Sequence, residues 1–331
     1  MAFRVGLVGL GMAVTPHAKS LLDLKERVEV AYAYSRSEGR RTAFAQRFAF
    51  PLCDRLEKIL DDRSVVAVLI LTPPNTHLEL VSRFAAAGKH VLLEKPLEIS
   101  TARAEQLVKS SSGVKLGVVL QHRFRPAAEK LREVIGDLGK LVSASASIPN
   151  WRPQTYYEQP GRGTKARDGG GVLLTQGIHT LDLLLSFAGE AAEVKSFSTT
   201  TPVHRMETED LVSAAVRWKS GALGVVHATT AAFPGFAERI ELIGTRGTAL
   251  LQGTELQVRF VDGKSIDVKT EAGGGGTGAD PMAFPHDWHR GVLQDFLDAI
   301  ERDRQPRVNG AEALKVHRFI DALLQTPRSG G

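Results

Sequence analysis

The sequence predicts an α/β chain of two parts. A doubly wound parallel sheet is expected over residues 1–122, and an α+β part with an open, mainly antiparallel sheet over residues 123–331. Three observations carry this expectation. Up to about residue 120, short β-branched runs alternate with amphipathic stretches, the order that gives parallel strands covered by helices on both faces. Beyond Pro126, strands instead follow one another through short turns. At 331 residues the chain is also long enough for two parts that each bury a core.

In the first part, apolar strands read at residues 4–8, 28–34, 65–71, 90–93 and 115–120, with helices at 76–87 and 100–110 between them. Gly88, after three alanines, is a helix stop before the next strand. In the second part a helix at 127–135 leads to a strand at 140–148 and a polar loop at 150–168. A long helix at 172–187 opens after Gly169-Gly170-Gly171 and closes at Gly189. Strands follow at 210–218, 222–231, 239–243, 248–251, 255–260 and 265–269, several of them joined by turns such as Lys219-Ser220-Gly221 and Asp262-Gly263. A glycine-rich loop at 273–278 and helices at 287–302 and 310–324 complete the chain, without an internal repeat.

Composition excludes several classes. With 43% hydrophobic and 24% charged residues the chain is an ordinary globular protein. Its net charge of +5, from 42 basic and 37 acidic residues, is spread without long like-charged runs, so no nucleic-acid partner is expected. Cys53 is the only cysteine, which rules out an internal disulfide and a cysteine metal cluster, and no metal is expected. No apolar run approaches the roughly twenty residues of a membrane span. The N-terminal stretch lacks a small-residue cleavage site, so the cytoplasm is the expected compartment and no membrane partner is foreseen.

The first strand ends in Gly6-x-x-Gly9-x-Gly11-x-x-Val14. Gly9 and Gly11 allow a tight turn, and with Met12 and Ala13 they bring main-chain N–H groups at a helix start to a pyrophosphate. Val14 stands where that fingerprint usually has Gly or Ala. The second strand ends in Ser35-Arg36 rather than in the acid that binds an NAD ribose. A hydroxyl beside a guanidinium suits a 2′-phosphate, so NADP(H) is favoured over NAD(H) as cofactor. Thr72, Pro73, Asn75 and His77 end a further strand at the sheet edge where a dinucleotide lies, and Glu94-Lys95-Pro96 ends the next. These residues complete the expected cofactor set.

The order GLGMA, LTPPNTH, EKP, RFRP and GGGVLLTQGIHTLDLL closely resembles the Gfo/Idh/MocA family, the glucose–fructose oxidoreductase and inositol dehydrogenase relatives. The likeness runs through HRGVLQDFLDAI near the end of the chain. It implies an N-terminal Rossmann domain and a C-terminal domain whose open sheet often serves oligomerisation, here a homodimer or homotetramer. It also implies hydride transfer between nicotinamide and a secondary alcohol or carbonyl of a sugar, cyclitol or sugar derivative. On the apolar helix at 172–187, Thr175, His179, Asp182 and Ser186 recur at i, i+4, i+7 and i+11, a polar stripe on a buried helix.

Oxidising a carbinol removes a hydride and a hydroxyl proton. His179 is the expected proton carrier, and Lys95 the group that polarises the reacting oxygen. Relatives commonly have an aspartate where this chain has Thr175, which leaves Asp182 as the one carboxylate on the stripe. Arg123 and the loop residues Trp151, Arg152, Tyr156 and Arg162 join Thr175, Lys95 and His179 as expected substrate contacts. Three alternatives stay open: a dehydrogenase of a non-sugar ring such as an aromatic dihydrodiol, a redox-assisted glycosidase holding NAD, and a non-catalytic dinucleotide sensor.

Overall fold

The structure, a computed structural model, describes residues 2–269 and 285–325. The chain divides into two compact units with a boundary at Gln121/His122. In the first unit, β1 (Phe3–Val8), β2 (Val28–Tyr34), β3 (Leu52–Cys53), β4 (Ala67–Ile70), β5 (His90–Leu93) and β6 (Leu116–Val118) form one sheet in the order β3-β2-β1-β4-β5-β6. Every pairing is parallel. The helices α1 (Val14–Asp23), α2 (Glu38–Ala45), α3 (Glu57–Asp61), α4 (His77–Ala86) and α5 (Thr101–Ser110) lie between the strands in sequence. The central strands β1 and β4 read as near-continuous apolar runs because helices cover both faces. Strand order reverses between β1 and β4, so a ligand crevice opens at their carboxyl ends.

One segment lies apart from its expected place. Residues His286–Leu314 group with the first unit, whereas the sequence reading put them with everything beyond residue 122. The helix Asp287–Glu301 packs on α1. Arg27 pairs there with Asp298 at 2.8 Å, and Asp23 takes up His286 at 2.9 Å and Arg290 at 2.7 Å. Further along, Val118 N–H donates to Val308 O at 2.9 Å, extending the sheet edge beyond β6.

The second unit carries α6 (Pro126–Val134), β7 (Leu141–Pro149), the short α7 (Gln154–Tyr157), α8 (Ile178–Ala188), β8 (Ala191–Thr199), β9 (Leu211–Trp218), β10 (Leu223–Thr229), β11 (Arg239–Gly244), β12 (Gly247–Gln252), β13 (Glu255–Phe260) and β14 (Ser265–Val268). Its eight strands run in the order β14-β13-β12-β11-β7-β10-β9-β8, antiparallel except where β10 pairs with β7. One face is buried by Ala144, Ala146, Ile148, Val212, Val226 and Leu242, with α8 packed on β7. The other face alternates out of the core and leaves Phe197, Leu223 and Val225 78%, 54% and 57% exposed. The strand β8 went unforeseen because its alternation is mostly polar, as befits an edge strand with one buried residue, Ser196. The glycine-rich loop expected at 273–278 lies outside the described residues.

The expected helix at 172–187 is not uniform. A π-helical turn, Leu173–Gly177, precedes α8, so the i, i+4 spacing assumed for the polar stripe does not hold through it. Asp182 is buried, but Ser186 is exposed and its hydroxyl donates to Leu183 O. The stripe is therefore a short polar patch around His179 rather than a continuous row.

Candidate active site

In the first unit, the turn after β1 requires glycine. Gly9 has φ +104°, and a Cβ there would stand 2.9 Å from the Leu71 carbonyl carbon. Gly11 leads into α1, which starts after Ala13 without a side-chain cap. Its first N–H groups are thus free of side-chain caps, the arrangement that receives phosphate oxygens. Met12 is half exposed beside them.

At the end of β2, Ser35 is buried and its Oγ accepts the Ser37 N–H. Arg41 donates to the carbonyls of Ser35 and Arg36 at 2.6 and 3.1 Å, and the Ser37 hydroxyl caps α2. Arg36 is exposed, and no hydrogen bond or ion pair among the described residues engages its guanidinium. Arg41 braces this corner, which leaves Arg36 and Arg40 as the cations presented to solvent there.

The loop after β4 exposes Pro73 and Asn75, with Thr72 half buried and its hydroxyl 2.7 Å from that of Thr76. His77 departs from expectation. It is fully buried: Nδ1 lies 3.0 Å from Pro96 O and Nε2 lies 2.8 Å from Thr72 O. Its ring joins two loops of the sheet edge instead of presenting itself to a dinucleotide, and burial pushes its pKa down.

Glu94 and Lys95 follow β5. Glu94 accepts from His17 Nε2 at 2.7 Å and from the Lys95 main-chain N–H at 3.0 Å. Burial pushes the Glu94 carboxyl up, but the hydrogen bond from His17, helped by weaker charge effects around it, outweighs this and brings it down to about 2. Glu94 is therefore anionic throughout the neutral range. Its Oε2 tethers the main chain at Lys95.

In the second unit, His179 sits in the first turn of α8, 9% exposed, with its ring stacked on His122 at 4.8 Å. Asp182, one turn on, accepts from Arg123 through both oxygens, at 2.7 Å from Nε and 2.6 Å from Nη2. Arg123 was expected to meet substrate; its guanidinium is instead spent on a buried bidentate pair. Thr175 donates to Gly171 O at 2.6 Å from within the π turn.

The start of that turn depends on a residue the sequence reading missed. Glu209 accepts the N–H groups of Gly171 at 3.0 Å and Leu173 at 3.3 Å, while its own carbonyl takes Val172 N–H. A side chain at position 171 would collide with that carbonyl, its Cβ lying 1.7 Å away. Burial pushes the Glu209 carboxyl up. No local pattern marks Glu209, because its partners lie 38 and 36 residues earlier.

The loop before α8 brings Arg152, Tyr156 and Arg162 together: the two guanidinium carbons stand 5.8 and 4.9 Å from the Tyr156 ring centre. Trp151 lies edge-on to Phe233 at 5.4 Å and 6.1 Å from the His204 ring, and its carbonyl accepts from Arg152. His204 holds the loop, with Nδ1 2.7 Å from Asp210 and Nε2 2.8 Å from Arg152 O. Tyr157 is a buried strut: its hydroxyl donates to Thr230, and burial pushes its pKa up to about 12.

Residues 3–122 match the oxidoreductase family with an NAD-binding Rossmann fold, and residues 128–250 match the GFO/IDH/MocA C-terminal domain. A mouse relative, trans-1,2-dihydrobenzene-1,2-diol dehydrogenase, is 30% identical over 259 residues, 76% of this chain and 75% of its own length. The chain belongs to the Gfo/Idh/MocA family.

Another family relative, the myo-inositol 2-dehydrogenase of Thermotoga maritima, is 29% identical over 74% of this chain and 73% of its own. The fold matches that of the WlbA dehydrogenase of Bordetella pertussis, solved with NADH and UDP-GlcNAcA, with a TM-score of 0.86 and 23% identity over 100% of this chain and 96% of that one. As a Gfo/Idh/MocA protein this chain is an NAD-binding oxidoreductase acting on CH–OH groups. Among the described residues, no helix is long and apolar enough to cross a membrane.

Proposed function

We propose that this Gfo/Idh/MocA protein moves hydride between NADP(H) and a secondary alcohol or carbonyl of a sugar or cyclitol. Lys95 holds and polarises the reacting oxygen, and His179 carries its proton. The observation that supports this best is Lys95 at the carboxyl edge of the parallel sheet, its main chain bonded to an ionised Glu94. The uncapped N-terminus of α1 is suited to the dinucleotide phosphates, and the nicotinamide of the bound cofactor supplies the hydride acceptor. Arg152, Arg162 and Tyr156 offer cations and a ring face to polyol oxygens. The dihydrodiol reading stands second, favoured by the mouse relative. Initial rates across sugars, uronates, cyclitols and dihydrodiols, each with NADP⁺ and NAD⁺, separate the two. Turnover confined to the dihydrodiols rejects the first.

Cofactor choice is tested on its own. With Arg36 unengaged at the end of β2, NADPH should bind more tightly than NADH. Arg36→Ala should weaken NADPH by about ten- to a hundredfold, the scale of a lost charge-assisted phosphate pair, with little change for NADH. Fluorescence titration that shows NADH binding the wild type tenfold tighter would reverse this assignment.

The open sheet face bearing Phe197, Leu223 and Val225 also belongs to the proposal. A face of that kind calls for cover, and we assign it to a homodimer or homotetramer. Light scattering at micromolar concentration should give a multiple of the chain mass of 35.8 kDa; a monomer rejects the assignment.

A further inference from the structure

Two buried histidines on different elements hold the turn that carries Lys95. His17 lies in the first half of α1, 2% exposed, and donates through Nε2 to Glu94 Oε1 at 2.7 Å. The other oxygen of the same carboxylate, Oε2, accepts the Lys95 N–H at 3.0 Å. From the far side His77 reaches the carbonyls of Pro96 and Leu97 at 3.0 and 3.2 Å. His289 closes the group, edge-on to His17 with ring centres 5.0 Å apart, and burial holds it down to about 3, hence neutral.

A buried carboxylate takes its orientation from its donors, because leaving an oxygen unsatisfied costs the full desolvation of that group. With Oε1 fixed on the His17 ring, Oε2 is turned to the Lys95 main chain. If the ring donor is removed, Glu94 can rotate or take up a proton, and the Lys95 N–H loses an acceptor held in a fixed orientation. We propose that His17 is a positioning residue for Lys95, acting through the Glu94 carboxylate. The helix whose N-terminus suits the dinucleotide phosphates then also sets the placement of the lysine. This rests on the role given to Lys95 above.

The ligand atoms of His17, Glu94 and His289 all lie within 4.8 Å of one another, a set that zinc accepts. At 2.7 Å, however, the His17–Glu94 separation is a hydrogen bond. Two atoms ligating one zinc at about 2.0 Å in a tetrahedron stand roughly 3.3 Å apart. The geometry points to a proton between them.

The test uses the full chain and three variants. Reductive ¹³C-methylation labels the Lys95 amine, whose resonance is assigned by its loss in Lys95→Met. His17→Phe fills the space without a donor, whereas His17→Gln restores an N–H near the position of Nε2. The Lys95 resonance should shift in His17→Phe and return in His17→Gln. With the substrate found in the rate panel, His17→Phe should lower kcat about ten- to a hundredfold, the scale of a small misplacement, while NADPH Kd stays within about threefold. His17→Gln should recover most of that loss.

A Lys95 resonance unmoved in His17→Phe overturns the proposal. So does His17→Gln behaving like His17→Phe when circular dichroism shows both folded, or one-to-one Zn²⁺ binding by calorimetry that vanishes in His17→Gln. Full turnover by Lys95→Met instead rejects the role of the lysine, and the resonance still decides its placement.

Discussion

Lys95→Met and His179→Gln are each expected to lower kcat by about two to four orders of magnitude, the usual scale for lost electrostatic or acid–base catalysis. Methionine keeps the length and packing of lysine but cannot donate to a developing alkoxide. Glutamine keeps a polar group in the first turn of α8 but cannot exchange a proton near neutral pH. Dinucleotide affinity should change little, since the uncapped start of α1 and the Gly9–Gly11 turn are untouched. The effects belong in kcat because the proposed roles place both groups at the reacting oxygen rather than at remote parts of the substrate. Stopped-flow hydride transfer separates chemistry from product release. A His179→Gln enzyme with near-wild-type transfer moves the proton role elsewhere. Tyr156 is then the next group to test, since Tyr157 is committed to Thr230.

The second large effect concerns stability. Arg123 and Asp182 form a bidentate pair with side chains 9% and 1% exposed. Removing one member leaves the other charge buried without its main partner, at a cost of about 3–5 kcal/mol. Arg123→Met and Asp182→Leu should each show that loss in chemical denaturation. The double variant should be closer to wild type than either single one, because both charges then leave together. Single variants within 1 kcal/mol of wild type would show the pair to be dispensable. Asp182 lies on the same helix as His179, so the pair also ties Arg123 to α8.

What the sequence disclosed and what it hid divide along physical lines. Strands β1, β4 and β5 were legible because burial on both faces writes a near-continuous apolar run. The glycine turn and the Glu94–Lys95 pair were legible because each is written in a few consecutive residues after an apolar strand. The π turn was not, as an apolar helix carries the same residues whether its bonds close over four or five positions. Arg123 and Asp182 stand 59 positions apart, and His17 and Glu94 stand 77. Pairings of that span have no local signature. The helix Asp287–Glu301 was itself plain from its period, yet an amphipathic pattern says that a face is buried and not in which core.

That last helix bears on how the protein is made. Its side chains Val292, Leu293, Phe296 and Leu297 are buried within the first unit, and His289 packs against His17 behind Glu94. During synthesis the strands of the parallel sheet leave the ribosome well before this segment does. The nucleotide-binding half therefore waits, with one flank of α1 bare, until the whole intervening second sheet has been translated. A fragment ending at Gln121 keeps every strand of that sheet and still lacks a wall of its own core.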